Sequence, residues 1–229
     1  MHFNGLLATF LLGIATNHLR PVNGHSNHDD STDAFILGND GPADPATIGY
    51  TINHFGLLVN NITASMHFYG EVLGMRHVFT YHASSAYAIA YLGHSQGGKN
   101  GTGYQSGAEL YAQKTNTAGL LELMYLKDVN DAFPRFTPST EVVNTFSHVG
   151  LVVPDVKATE ARMIERGVRI LKKSGADIVA GSDMTLAFGI LDGSVDIAAT
   201  KAGIEAIGFK DFLIIADPDG NMIEIQAQR

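Results

Sequence analysis

The chain has 229 residues, 45% of them hydrophobic and 17% charged, with a formal net charge of −8 and no cysteine. That length and apolar content suffice to bury a sizeable core in one or two domains. The acid excess, with Lys172-Lys173 as the sole adjacent basic pair, excludes a nucleic-acid surface, and the absence of thiols excludes disulfides, cysteine-ligated zinc and iron–sulfur clusters.

Residues 1–24 read as a secretory signal. The run 5–15 is apolar apart from Thr9, far shorter than the roughly 20 residues that span a bilayer, and small residues suited to cleavage stand at Gly13, Ala15 and Gly24. The mature chain is therefore expected outside the cell with no membrane anchor. Residues 25–49 are polar, contain Pro42 and Pro45 and lack periodicity, as a linker or arm does.

Residues 50–130 form a first module. Alternation predicts a strand over 50–59, and Asn61 is placed to cap a helix whose apolar residues Ile62, Met66, Tyr69 and Leu73 share one face. Gly74 ends that helix. Strands are predicted over 75–82 and 87–92, then a glycine-rich loop over 93–107, then a strand over 119–126 that carries Glu122. The loop lacks the Gly-Lys-Ser/Thr of a phosphate-binding loop and reads as a flexible insertion near the mouth of a site.

Residues 131–144, which include Pro134 and Pro138, read as a linker, and the order restarts in a second module over 145–229. A strand is predicted over 146–153, Asp155 as a cap, a helix over 156–166, Gly167 as its stop, and a strand beginning over 168–171. Residues 174–210 show no secure pattern. Strands over 212–216 and 222–226 close the chain as a hairpin about Asp217-Pro218-Asp219-Gly220. Of the two glycosylation sequons, at Asn61 and Asn100, the cap role of Asn61 leaves Asn100 as the expected glycan carrier.

The internal repeat carries the functional reading. His54-Phe55-Gly56-Leu57 and His148-Val149-Gly150-Leu151 open equivalent strands, and each histidine has a glutamate downstream, in Leu121-Glu122-Leu123 and Ile223-Glu224-Ile225. Alone, a glutamate in an alternating strand is a solvent-facing residue, and a histidine on an apolar strand is a hydrogen-bonded core residue. Matched pairs at equivalent positions point instead to one metal site between the halves. Two imidazoles and two carboxylates make a nitrogen and oxygen donor set suited to Zn, Ni, Co, Mn or Fe. The fold class is α+β, two paired βαβββ modules forming a curved sheet around that site.

Thr51-Ile52-Asn53-His54, Phe68-Tyr69-Gly70-Glu71-Val72-Leu73-Gly74-Met75, Leu121-Glu122-Leu123, His148-Val149-Gly150-Leu151-Val152-Val153-Pro154-Asp155-Val156 and Asp217-Pro218-Asp219-Gly220-Asn221-Met222-Ile223-Glu224-Ile225 together resemble glyoxalase I (lactoylglutathione lyase) of the vicinal oxygen chelate superfamily. The resemblance covers roughly residues 50–228. It implies one divalent metal ion, Zn, Ni or Co, held by His54, Glu122, His148 and Glu224. It also implies isomerisation of a hemithioacetal of methylglyoxal and glutathione, with the metal stabilising an enediolate, Glu224 as the principal base and Glu122 as its partner on the other face of the substrate.

At the positions where the family binds glutathione, Leu58, Leu126 and Asn144 replace the usual arginine, asparagine and arginine; Lys172 and Lys173 match a basic pair and are the expected substrate contacts. The expected function is a metal-dependent lyase or isomerase acting on a small 2-oxoaldehyde-derived, hemithioacetal-like molecule, weak on the glutathione adduct itself. A homodimer is an expected assembly. Two alternatives stay open: another enzyme of the superfamily, such as an extradiol-type dioxygenase, for which Glu122 is superfluous, and a non-catalytic small-molecule-binding module of the same fold.

Overall fold

The computed structural model describes residues 37–38, 41–96, 103–127, 135–191, 193 and 196–228. The expected signal segment 1–24, most of the arm after it, and the sequon at Asn100 lie outside the described residues. Gly41–Arg229 form one compact unit; before it only Leu37 and Gly38 are described, both exposed.

The first module runs β1 (His54–Leu58), α1 (Ile62–His67), β2 (Arg76–His82), β3 (Tyr87–Gly93), α2 (Gly107–Ala112) and β4 (Leu120–Leu126). The second runs β5 (His148–Val153), α3 (Val156–Glu165), β6 (Ile170–Lys172), α4 (Asp183–Ala187), α5 (Ile197–Ala206), β7 (Leu213–Ala216) and β8 (Met222–Ala227). The expected caps form: the Asn61 side chain accepts the Ala64 N–H at 3.0 Å and the Asp155 side chain accepts that of Ala158 at 2.9 Å. Beyond α1 the helix continues as a π turn over Phe68–Val72, which buries Phe68, Tyr69 and Val72.

Each module folds into its own four-stranded sheet, in the orders β1-β4-β3-β2 and β5-β8-β7-β6. In both, the first strand pairs in parallel with the last, and the others are antiparallel. The expected α+β pair of βαβββ modules is thus present, as two four-stranded sheets that are not closed on each other, with β1 and β5 each at an edge.

Alternation divides the faces. Leu57, Leu121, Leu123, Ala90 and Leu92 of the first sheet, and Leu213, Ile215, Ile223 and Ile225 of the second, enter one core with Phe68, Tyr69, Val72 and Met163 of the helices. Burying a side chain of this size contributes roughly 1.5–3 kcal/mol, so this shared core dominates the packing of the two modules. A second cluster, with Ile178, Met184, Ala187 and Phe209, covers Ile214 and Met222 on the other face of the second sheet. It accounts for residues 174–210, which form α4 and α5 rather than strands.

The junction between modules is polar and specific. Asp217 Oδ1 accepts the N–H groups of Asp219, Gly220 and Asn221 at 2.9, 2.8 and 2.7 Å, which shapes the hairpin turn. Its Oδ2 accepts the buried Tyr69 hydroxyl of the first module at 2.8 Å. Burial raises both the Tyr69 phenol, well above 10.0, and the Asp217 carboxyl, whose rise is opposed by the hydrogen bonds it accepts. Asp219 accepts the Asn60 amide at 2.8 Å, and Asn60 also bonds both the N–H and the C=O of Phe136. Thr140, buried, donates to Gly220 O at 2.6 Å. The described part of the segment between modules is thus built into the joint. Arg162 of α3 completes it by donating to Glu71 O at 2.8 Å and Val72 O at 3.0 Å, the free carbonyls at the end of the first helix.

Lys172 has a structural task. It is buried, and its Nζ donates to Lys210 O at 2.8 Å, Phe212 O at 2.9 Å, Phe209 O at 3.2 Å and Lys173 O at 3.4 Å. Its ammonium ties β6 to the turn that leads into β7.

Two stability measurements follow from these contacts. Tyr69→Phe should lower unfolding free energy by about 1.5–3 kcal/mol, seen as a lower urea midpoint at unchanged slope; an unshifted midpoint would show that the joint does not depend on this bond. Lys172→Met keeps the apolar stem but leaves buried carbonyls unpaired, so it should destabilise by roughly 1–3 kcal/mol.

Candidate functional site

The two histidine–glutamate pairs of the repeat form. In the parallel ladder between β1 and β4, Gly56 lies opposite Glu122, and His54, two residues back, shares its face. His54 Nε2 stands 3.3 Å from Glu122 Oε2. Gly56 lies close under the pair: a Cβ there would meet the mobile Met124 methyl at 2.9 Å and come to ordinary contact with Glu122 Oε2 at 3.5 Å. In the second module Gly150 lies opposite Glu224, and His148 Nε2 stands 3.7 Å from Glu224 Oε2. Burial raises the Glu224 carboxyl, with His148 opposing the rise.

The residue before each histidine holds its other nitrogen. Asn53 Oδ1 lies 3.0 Å from His54 Nδ1, while Asn53 Nδ2 donates to Lys114 O and Thr117 O, both at 2.6 Å. These two donations identify Oδ1 as the acceptor of the Nδ1–H of His54, which holds the ring so that Nε2 faces Glu122. In the second module Ser147 Oγ lies 2.9 Å from His148 Nδ1 and, as a hydroxyl, can donate or accept. The sequence reading missed Asn53 as a positioning residue; its signal was a hydrogen-bonding side chain immediately before the histidine in both copies.

Aromatic side chains run beside each pair. Tyr91 lies in register with Glu122, stacks on Phe79 at 4.7 Å and meets the His54 ring edge-on at 5.2 Å. Burial raises the Tyr91 phenol, and the charge and hydrogen bond of Glu122 raise it further. Tyr111 of α2 packs against Phe79. In the second module Phe188 lies 5.1 Å from the His148 ring and packs on Phe209. Each half-site is thus open beside its histidine and roofed farther along its sheet.

The two pairs do not meet. Among the described residues no group of three or more histidine, aspartate or glutamate side chains is placed to hold a metal ion. The reason is the shared core: it takes one face of each sheet, and the His–Glu pairs occupy the opposite faces. The donor chemistry suits a divalent ion, but the four-donor set expected between the halves is not assembled within one chain.

Of the two expected substrate contacts, one is engaged elsewhere in the fold. Lys172 lies in the same cross-strand row as Glu224 through Ile214, yet its ammonium is committed to backbone carbonyls. Lys173 is exposed. Leu58, in a usual arginine position, is 46% exposed on the open face. The Asn144 side chain accepts the Phe146 N–H at 2.7 Å.

The chain is similar to several solved structures. The trypanothione-dependent glyoxalase I of Leishmania major superposes with a TM-score of 0.45 at 20% identity, over 78% of this chain and 86% of that one. Glyoxalase I from Zea mays gives 0.45 at 19% identity over 77% of this chain, which spans only 45% of the maize protein. TnmS3, an antibiotic-binding protein from Streptomyces sp. CB03234, gives 0.39 at 14% identity, over 79% and 97% of the two chains. No curated protein sequence matches the chain. The family model of the Glyoxalase/Bleomycin resistance protein/Dioxygenase superfamily matches residues 51–225, a span that takes in both modules and both His–Glu pairs, and the chain belongs to that superfamily.

Proposed function

We propose that the protein is a metal-dependent lyase or isomerase of the glyoxalase I type, and that its metal site is assembled between two copies of the chain. The observation that carries this reading is the division of four competent donors into two equivalent pairs, His54 with Glu122 and His148 with Glu224, on the sheet faces turned away from the shared core. Two donors are too few for a tetrahedral or octahedral ion, and one pair from each of two chains completes the set. The edge of the first sheet favours such a partner: β1 lacks a neighbour on its outer side, and Leu58, on the face of His54, stands 46% exposed.

When bound, a divalent ion supplies Lewis acidity to adjacent substrate oxygens. The chain's own residues do the rest. Glu224, half-desolvated on β8, takes a proton from one carbon of the substrate, and Glu122 serves the opposite side. The hydrogen bond to Asn53 holds His54 Nε2 toward the donor set. The substrate we favour is a compact 2-oxoaldehyde adduct with few charges, because Leu58 and Leu126 offer no partner for the two carboxylates of glutathione. We also propose that residues 1–24 direct secretion and that Asn100 carries glycan in preference to Asn61, whose side chain caps α1. Glycopeptide mapping that finds the glycan on Asn61 sinks the second of these.

Purified protein should be a dimer in light scattering and hold about one divalent ion per chain. His148→Ala/Glu224→Ala should remain folded and lose the metal. Chains carrying His54→Ala, mixed with chains carrying His148→Ala, should regain metal at one of two sites, because one interface then receives both intact pairs. No regain would place the donors within one chain. Turnover of hemithioacetals after restoring Ni, Zn or Co, lost in Glu224→Gln, tests the catalytic part; bound ligand without turnover in the metal-loaded dimer favours a binding module instead.

A further inference from the structure

A second cleft lies away from the His–Glu pairs, where the end of the first sheet approaches the free edge of β5. Its volume is about 560 Å³, within the range of small-molecule sites, and neither His–Glu pair lines it. Leu73, Leu151 and Val153 give it an apolar wall. Arg76, His94 and Tyr104 give it polar groups, and no aspartate or glutamate is among the described residues that line it.

Arg76 is the one arginine or lysine among the described residues that line the cleft. Among the described residues it has no carboxylate within ion-pair distance, and its guanidinium lies 4.6 Å above the Tyr104 ring. An arginine stacked on an aromatic face is held in orientation while its edge donors stay free for a carboxylate. The stacking partner is held in turn. Gln105, next to Tyr104, donates its N–H to Ser95 Oγ at 3.2 Å, and its side-chain oxygen accepts the Gln96 N–H at 2.6 Å. The two stems of the glycine-rich loop are thereby tied together beside the cleft.

His94 adds a second signal. Among the described residues its buried Nε2 has no hydrogen-bond partner, and burial lowers its pKa.

We infer that this cleft binds a small organic anion, with its carboxylate on Arg76 and its apolar body against Leu73, Leu151 and Val153. A single fixed guanidinium without a neighbouring acid matches one carboxylate, and the apolar wall matches a ring or a short alkyl chain. The recognition is separate from the metal chemistry and uses residues of both modules.

The test is titration calorimetry of the full chain with three probes: phenylacetate, its neutral isostere phenylacetamide, and inorganic phosphate. Phenylacetate should bind saturably, and the amide and phosphate should each bind at least about tenfold more weakly. Arg76→Gln, a surface change, should weaken phenylacetate roughly ten- to a hundredfold, the loss expected for one charge-assisted contact. Tyr104→Leu should weaken it in the same direction by freeing the guanidinium. Glu224→Gln should leave it unchanged. Absence of saturable phenylacetate binding, equal affinity for the amide or phosphate, or an Arg76→Gln affinity equal to that of the parent each overturns the inference. A phenylacetate affinity that falls in Glu224→Gln overturns its separateness from the His–Glu pairs.

Discussion

Each histidine meets its glutamate because the first strand of each module pairs in parallel with its last. That pairing brings together residues far apart in the chain, and the two-residue pleat then decides which side chains share a face. With Gly56 opposite Glu122 and Gly150 opposite Glu224, the histidine two positions earlier falls on the glutamate's face in both halves. A slip of one residue would send either glutamate into the shared core and bring a leucine or isoleucine beside the imidazole. The apolar residues that flank Glu122 and Glu224 therefore guard the site as well as fill the core: Leu121, Leu123, Ile223 and Ile225 are almost wholly buried, and their burial holds the register.

The same core explains why the pairs stay apart. Two sheets that bury one face each against common helices must present their other faces outward. The joint reinforces this arrangement, since Asp217 and Asp219 lock the turn before β8 against Tyr69 and Asn60 of the first module. Glu224 sits a few residues beyond that turn, so the placement of the candidate base depends on contacts made on the far side of its own sheet.

Much of this was legible in the sequence. The caps at Asn61 and Asp155, the closing hairpin and the equivalence of the His–Glu pairs all rest on local rules, and they recur in the structure with ends shifted by a few residues. What the sequence left open was non-local. On which faces the two βαβββ units pack, and so whether their His–Glu pairs meet, cannot be read from an alternation that is the same in either case. The helices within 174–210 escaped notice because α4 is only 5 residues long and α5 buries none of its residues, so neither carries a strong apolar stripe. Lys172 was expected at the substrate because Lys172-Lys173 matches a basic pair of the resembled family, whereas here a ring of carbonyls holds its buried ammonium.

The repeat is close to symmetric in backbone and unequal in what holds its imidazoles. The neighbour of His54 is an amide whose N–H donors are already used on Lys114 O and Thr117 O, so its oxygen can only accept from the ring and the amide itself is pinned at its far end. The neighbour of His148 is a hydroxyl, which can turn and either donate or accept. One ring is thereby tied to the loop before β4, while the other is held by a side chain that reaches no farther than its own strand.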